Sequence, residues 1–165
     1  MILYVVRHAI AEDAPADGDD GARRLTAAGR RKMKAAAAGL GALRVAPSVV
    51  VTSPLVRALE TARIVVAALP RAPPVRELPA LAPDVAPADT LKALRVFARN
   101  QHVMIVGHEP NLSRTIALLL SGAVDGAAIE LKKGACAALE LTAFAPGGAT
   151  LRWLLQPRAL RRIGR

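Results

Sequence analysis

The sequence predicts an α/β domain built on a mainly parallel sheet, and three observations carry that expectation. Short, continuous apolar runs at residues 2–6, 49–52 and 103–106 suit strands that are buried on both faces. Segments with apolar residues at helical spacing follow these runs along the chain. Strands that alternate with helices pair in parallel, because each return to the sheet crosses over through a helix. The order of the strands is not contained in this pattern.

The first strand, residues 2–6, ends at Arg7 and His8. Residues 9–25 read as a polar loop, with an acidic run at 12–20. Thr26 is the expected N-cap of a helix whose Met33, Ala36, Ala37 and Leu40 share one face, while Gly39 and Gly41 weaken its end. The second strand is 49–52. Ser53 and Pro54 then read as a helix start, Ser at the N-cap and Pro at the first helical position, where its missing N–H costs nothing. That helix is expected from Leu55 to about Leu69. Residues 70–87 hold half of the 12 prolines, which predicts a rigid loop with one short strand at 75–78 and no domain boundary. A helix over 88–99 places Leu91, Leu94 and Phe97 together. The strand at 103–106 runs into Gly107-His108-Glu109-Pro110, and a further helix begins near Pro110 or Asn111 with Leu112, Ile116, Leu119 and Leu120 on one face. The last third reads as strands at 129–131, 135–141 and 150–155, separated by Lys133-Gly134 and Pro146-Gly147-Gly148. These late strands would add antiparallel edges.

A chain of 165 residues fits one domain, 1–165, and can bury a core without staples. A hydrophobic share of 53% excludes wholesale disorder. The four aromatic residues, Tyr4, Phe97, Phe144 and Trp153, leave the core to Ala, Val, Leu and Ile. Their scarcity also argues against a stacking platform for single-stranded nucleic acid. A single cysteine, Cys136, excludes an internal disulfide and a zinc site built on paired cysteines. It lies in an apolar strand and reads as a small buried side chain. His8, His102 and His108 show no local metal-ligand spacing, so neither a metal nor another cofactor is expected. No run reaches the ~18 apolar residues of a membrane span, and the apolar start is too short for a signal peptide. A cytoplasmic protein without a membrane partner is the expectation.

The net charge of +10, from 23 basic against 13 acidic residues, favours anionic partners. The basic residues cluster at 23–34 and again at 158–165. The second cluster is expected to be a solvated or frayed tail rather than a nucleic-acid contact. A monomer is expected, or a weak dimer through a sheet edge in the last third.

In open α/β sheets, ligands bind at the carboxyl ends of the strands. Three such ends carry unusual residues here: Arg7-His8, Ser53 through Arg57, and Gly107-His108-Glu109. Two histidines and two arginines can thus converge on one rim. Such a set suits phosphoryl transfer. Guanidinium forks bind phosphate oxygens in pairs, and a helix N-terminus adds N–H donors to the same anion. A neutral imidazole nitrogen can attack phosphorus while the other ring nitrogen carries a proton held by an acceptor. A second imidazole can stabilise the equatorial oxygens.

Four motifs in order resemble the histidine phosphatase superfamily, which includes the phosphoglycerate mutases and many phosphatases. Arg7-His8-Ala9 resembles its Arg-His-Gly start, and Leu25-Thr26-Ala27-Ala28-Gly29 its Leu-Thr-x-x-Gly helix start. The run from Ser53 to Ala62 resembles Ser-x-x-x-Arg-Ala-x-x-Thr-Ala, and Gly107-His108-Glu109-Pro110 its Gly-His motif. The resemblance covers nearly the whole chain. It implies a three-layer α/β/α sandwich of the phosphoglycerate mutase-like kind. By the same resemblance His8 is the catalytic nucleophile, Arg7 and Arg57 bind phosphate, and His108 binds the transferred phosphoryl group, with no metal.

The chain departs from the family pattern at two places. Ala9 stands where the family has Gly, which adds a Cβ and disfavours positive φ. The general acid of larger members lies in an inserted segment that is short and proline-rich here, where only Asp84 and Glu77 are on offer. Asp84 is preferred, because its loop is the one expected to cover the strand ends. The small size and missing insertions resemble the SixA-type phosphohistidine phosphatases of two-component signalling. That resemblance implies a phosphohistidine-bearing protein as substrate. A P–N bond is more labile than a phosphate ester, so a strong acid matters less. Two alternatives stay open: a phosphatase for a small phosphorylated metabolite such as a sugar or nucleotide, and a non-catalytic phosphate-binding domain.

Overall fold

In the computed structural model, which describes residues 1–14 and 19–165, the sheet is built from six strands. These are β1 (Ile2–Arg7), β2 (Val49–Thr52), β3 (Val75–Glu77), β4 (His102–Gly107), β5 (Cys136–Leu141) and β6 (Ala149–Leu155), in the order β3-β2-β4-β1-β5-β6. The first four run parallel; β5 is antiparallel to β1, and β6 to β5. Five α-helices accompany them: α1 (Ala27–Ala42), α2 (Val56–Ala68), α3 (Pro87–Leu94), α4 (Asn111–Ser121) and α5 (Pro157–Ile163). Among the described residues, no helix is long and apolar enough to cross a membrane.

The pleat divides the core in two. Tyr4, Val6, Val50, Met104 and Val106 pack with Met33, Leu40, Ala58, Val65 and Leu160 of α1, α2 and α5. Leu3, Val5, Val51, Val103 and Ile105 point the other way, onto Leu91 and Leu94 of α3 and Leu112, Ile116 and Leu119 of α4. Successive side chains on a strand alternate faces, so strands apolar at every position require a helical layer on each side. The result is the expected three-layer sandwich.

The two ends of α1 behave differently from one another. Thr26 caps it as its sequence implies, its hydroxyl accepting from Gly29 N at 2.9 Å. The C-terminal end runs through Gly39 and Gly41, because α5 packs at Gly39 and the end of α2 at Gly41. A Cβ on Gly39 would run into the carbonyl of Leu160. The segment expected as a frayed basic tail is therefore a helix, started by Pro157 and anchored by the fully buried Leu160.

Other elements differ from expectation for local reasons. Ser53 is not the N-cap of α2; the helix starts at Val56 after Leu55, and the Ser53 hydroxyl lies 2.9 Å from Nε2 of His108. Residues 129–131 form no strand. Their carbonyls are taken by side chains instead: Arg7 Nη1 donates to Leu131 O at 2.9 Å, and Gln156 Nε2 to Glu130 O at 2.7 Å. The helix expected over 88–99 is α3 followed by a 3₁₀ turn at Arg95–Phe97. A second 3₁₀ turn, Asp20–Ala22, breaks the expected polar loop, and 15–18 of that loop lie outside the described residues.

Candidate active site

Parallel pairing brings the three informative strand ends to one rim. β1 and β4 are neighbours with Arg7 opposite Gly107, and β2 lies beside β4 with Thr52 opposite Val106. The residue after each strand continues the ladder: His8 N donates to Gly107 O at 3.0 Å, and Ser53 N to Val106 O at 2.9 Å. His8, His108 and Ser53 thus leave the sheet side by side, and the His8 and His108 ring centroids lie 4.9 Å apart at a tilt of 50°. Arg57, in the first turn of α2, is buried with them.

The His8 ring is oriented by its own backbone. Nδ1 lies 2.7 Å from Ala9 O. A carbonyl oxygen only accepts, so Nδ1 carries the proton and Nε2 of the neutral ring carries the lone pair. Ala9 is itself pinned from α2: its N–H donates to Thr61 Oγ1 at 3.0 Å, and that hydroxyl donates to Arg57 O at 2.7 Å. Ala9 takes the family glycine's place without strain. Among the described residues, Arg44 is the one non-glycine residue with positive φ, at 56°.

Charge and burial act on both histidines in one direction. Burial first, then the charges of Arg57, Arg7 and Lys133, push His8 from 6.5 down to about 3, against an opposing pull from the Ala9 hydrogen bond. Burial and then His8, Arg57, Arg23 and Arg7 push His108 down to about 3 as well. Both rings are neutral at neutral pH, which suits one as a nucleophile.

The arginines are held by groups that sequence reading did not single out. Arg57 Nη1 donates to Asp20 O at 2.8 Å and Nη2 to Asp20 Oδ2 at 3.0 Å. The other Asp20 oxygen pairs with Arg23 Nε at 2.8 Å. In the sequence, Asp20 is only one member of an acidic run. Arg7 is fixed through Leu131 O, and Glu109 offsets part of the burial cost of its charge. Nε of Arg7, Nε of Arg57 and Nδ1 of His108 are buried without a hydrogen-bond partner among the described residues. All three residues neighbour His8, and an oxyanion bound beside its ring is the kind of acceptor such donors take.

Arg7, His8, Arg57 and His108 therefore come together as the sequence implies, whereas Asp84 and Glu77 do not join them. Glu77 ends β3 in solvent. Asp84 is exposed on the rim of a separate cleft of about 320 Å³, beside Pro110 and Arg114. The loop carrying Asp84 is instead anchored by Asn111. Its Nδ2 donates to Ala80 O at 3.2 Å and Ala82 O at 2.8 Å, while Oδ1 accepts from Thr90 at 3.1 Å and Thr115 at 2.9 Å. Asn111 directly follows the Gly-His-Glu-Pro motif, but nothing local marks it as a clamp. Among the described residues, no group of three or more His, Cys, Asp or Glu is placed to hold a metal ion.

The chain is similar to known proteins in sequence and in fold. A family model described as the histidine phosphatase superfamily (branch 1) matches residues 3–82. An uncharacterized protein of Picosynechococcus sp. is 32% identical over 139 residues, covering 81% of each chain. A solved structure of the protein histidine phosphatase SixA complexed with tungstate is 25% identical, covers 97% of this chain and 99% of that chain, and superposes with a TM-score of 0.85. The α-ribazole phosphatase of Shigella flexneri shares the fold at 22% identity and a TM-score of 0.74, covering 95% of this chain and 97% of that one.

Proposed function

Because the chain belongs to the histidine phosphatase superfamily and is a phosphatase, we propose that its substrate is phosphohistidine on another protein, a phosphotransfer domain of two-component signalling. The observation that carries this reading is the His8 ring: neutral, its proton held by Ala9 O, and set between two arginines and a second neutral histidine. The short, proline-rich connection between β3 and α3 also supports it, since no long insertion is present to close over a small substrate.

In the proposed reaction, Nε2 of His8 attacks phosphorus in line with the P–N bond. That bond breaks, and the departing imidazole takes a proton from water. Arg7, Arg57 and His108 hold the equatorial oxygens as charge develops on them. Water then attacks the phosphoryl group on His8, releasing inorganic phosphate and returning the lone pair to Nε2. The scheme asks for no metal. A cytoplasmic location belongs to the same proposal.

A single-turnover assay with a phosphotransfer domain radiolabelled on histidine tests it, with wild type, His8→Ala and chelator-treated protein in parallel. Transient acid-labile, base-stable label on the wild-type chain, absent from His8→Ala and unaffected by chelator, is expected. Absence of both label and phosphate release would overturn the reading. A second reading, hydrolysis of a small phosphorylated metabolite, is favoured by the likeness of this fold to an α-ribazole phosphatase. A metabolite panel with kcat/KM well above that for phosphoprotein would select it.

A further inference from the structure

One residue from each of two basic clusters far apart in sequence, Lys32 of 23–34 and Arg161 of 158–165, lines a single cleft in the fold. α5 packs on α1 through Leu160 and Gly39, which places Arg161 beside Lys32. The loop before β5 adds Lys133 to the same place. Between these three side chains lies a cleft of about 200 Å³ whose floor is apolar: Ala9, Met33 and Ala36. Among the described residues, no carboxylate lines it and none of the three cations makes an ion pair.

The cleft adjoins the active site. Ala9 forms part of its floor and directly follows His8, and the charge of Lys133 acts on the His8 ring. A protein that presents a phosphoryl group to His8 has this cleft within reach of its surface. An inorganic anion would leave the apolar floor unused, and a nucleic acid would find no aromatic side chain in the lining. An aliphatic side chain flanked by carboxylates satisfies both floor and rim.

We propose that this cleft is the docking site for the phosphoprotein substrate, taking an aliphatic side chain from an acidic surface segment next to its phosphohistidine. This rests on the protein-phosphohistidine reading above. Lys32, Arg161 and Lys133 draw in the acidic segment, while Met33 and Ala36 seat its apolar residue. The site then selects substrates by their surface as well as by their phosphoryl group.

The test compares wild type with the double variant Lys32→Glu/Arg161→Glu, leaving Lys133 intact because it acts on His8. Each is assayed on phosphoramidate and on a histidine-phosphorylated, acidic phosphotransfer domain, at low and high salt. Binding of the unphosphorylated domain is measured by titration calorimetry. The expected result is a loss of about tenfold or more in kcat/KM on the domain, expressed in KM and diminished by salt. Turnover of phosphoramidate should stay within about twofold, and Lys32→Arg/Arg161→Lys should retain domain activity. Equal losses on both substrates, or none on the domain, would overturn the docking site. Hydrolysis of phosphoramidate without hydrolysis or binding of the domain would overturn it together with the protein-substrate reading. If neither substrate is hydrolysed, the catalytic reading fails, and calorimetry decides the cleft alone: binding lost in the double variant supports it, and no wild-type binding overturns it. Displacement of the domain by a short DNA duplex at lower concentration would assign the surface to nucleic acid instead.

Discussion

Nδ1 of His8 lies 2.7 Å from the carbonyl oxygen of Ala9, so the residue following the histidine sets which ring nitrogen is available for chemistry. The contact pulls against burial, but burial prevails and lowers the ring to about 3, so it is neutral at neutral pH. Ring nitrogen NMR on the free protein should show a neutral His8 with its proton on Nδ1 down to about pH 5. His8→Ala should lower single-turnover phosphate release by at least about 10³-fold. A His8 titration near its ordinary 6.5 would contradict the arrangement.

Both histidines make stability depend on pH. Each is depressed from 6.5 to about 3, so between those values the unfolded chain binds protons that the folded chain does not. The stability associated with the neutral rings is fully present above 6.5 and is lost as pH falls toward 3. The slope approaches about 1.4 kcal/mol per pH unit for each histidine in that window. Urea denaturation at pH 7 and about pH 5 should show a smaller acid loss in His8→Ala than in wild type. A bound oxyanion such as tungstate, which favours protonated rings, should raise Tm most at the acid end.

Asp20 is expected to act as a positioning residue for Arg57, since it accepts from both terminal nitrogens of the guanidinium. Asp20→Ala should weaken tungstate binding and lower kcat/KM by about tenfold. Asp20→Asn, which keeps an acceptor oxygen, should lose less. The carboxylate is half exposed, so the change in folding stability should stay below about 1 kcal/mol.

Asp84→Asn and Glu77→Gln should leave single-turnover phosphate release from phosphohistidine within about twofold of wild type, since both carboxylates are exposed and neither bonds the histidine–arginine group. A loss of about 10²-fold in either variant would identify a protein acid that closes onto the site.

Gly39→Ala separates local propensity from packing. Helix propensity alone predicts stabilisation by about 1 kcal/mol. Contact with the Leu160 carbonyl predicts the opposite sign. Leu160→Ala should cost about 2–5 kcal/mol, because the side chain is fully buried. Chemical denaturation of both variants checks the docking of α5.

Much of the fold is legible locally. β2 and the Thr26 cap fall where the sequence puts them, because a continuous apolar run and a capping hydroxyl are satisfied by near neighbours. Ser53 misleads because two partners compete for one hydroxyl: the helix start it precedes, and His108, which lies 55 residues away. Residues 129–131 mislead because Arg7 and Gln156 occupy carbonyls that a strand would need. The tail misleads because its anchor is one leucine received by a glycine on another helix.

By itself, the sequence determined the alternation of strands and helices and the identity of Arg7, His8, Arg57 and His108, since apolar period and residue chemistry are local properties. Only the tertiary structure decided that those four meet, that Asp20 holds Arg57 while Asp84 and Glu77 stand apart, and that two basic clusters flank one cleft beside His8. Those outcomes depend on strand order and on which helix covers which face. Both follow from the joint burial of apolar surface by segments distant in sequence, a property that no local window of residues contains.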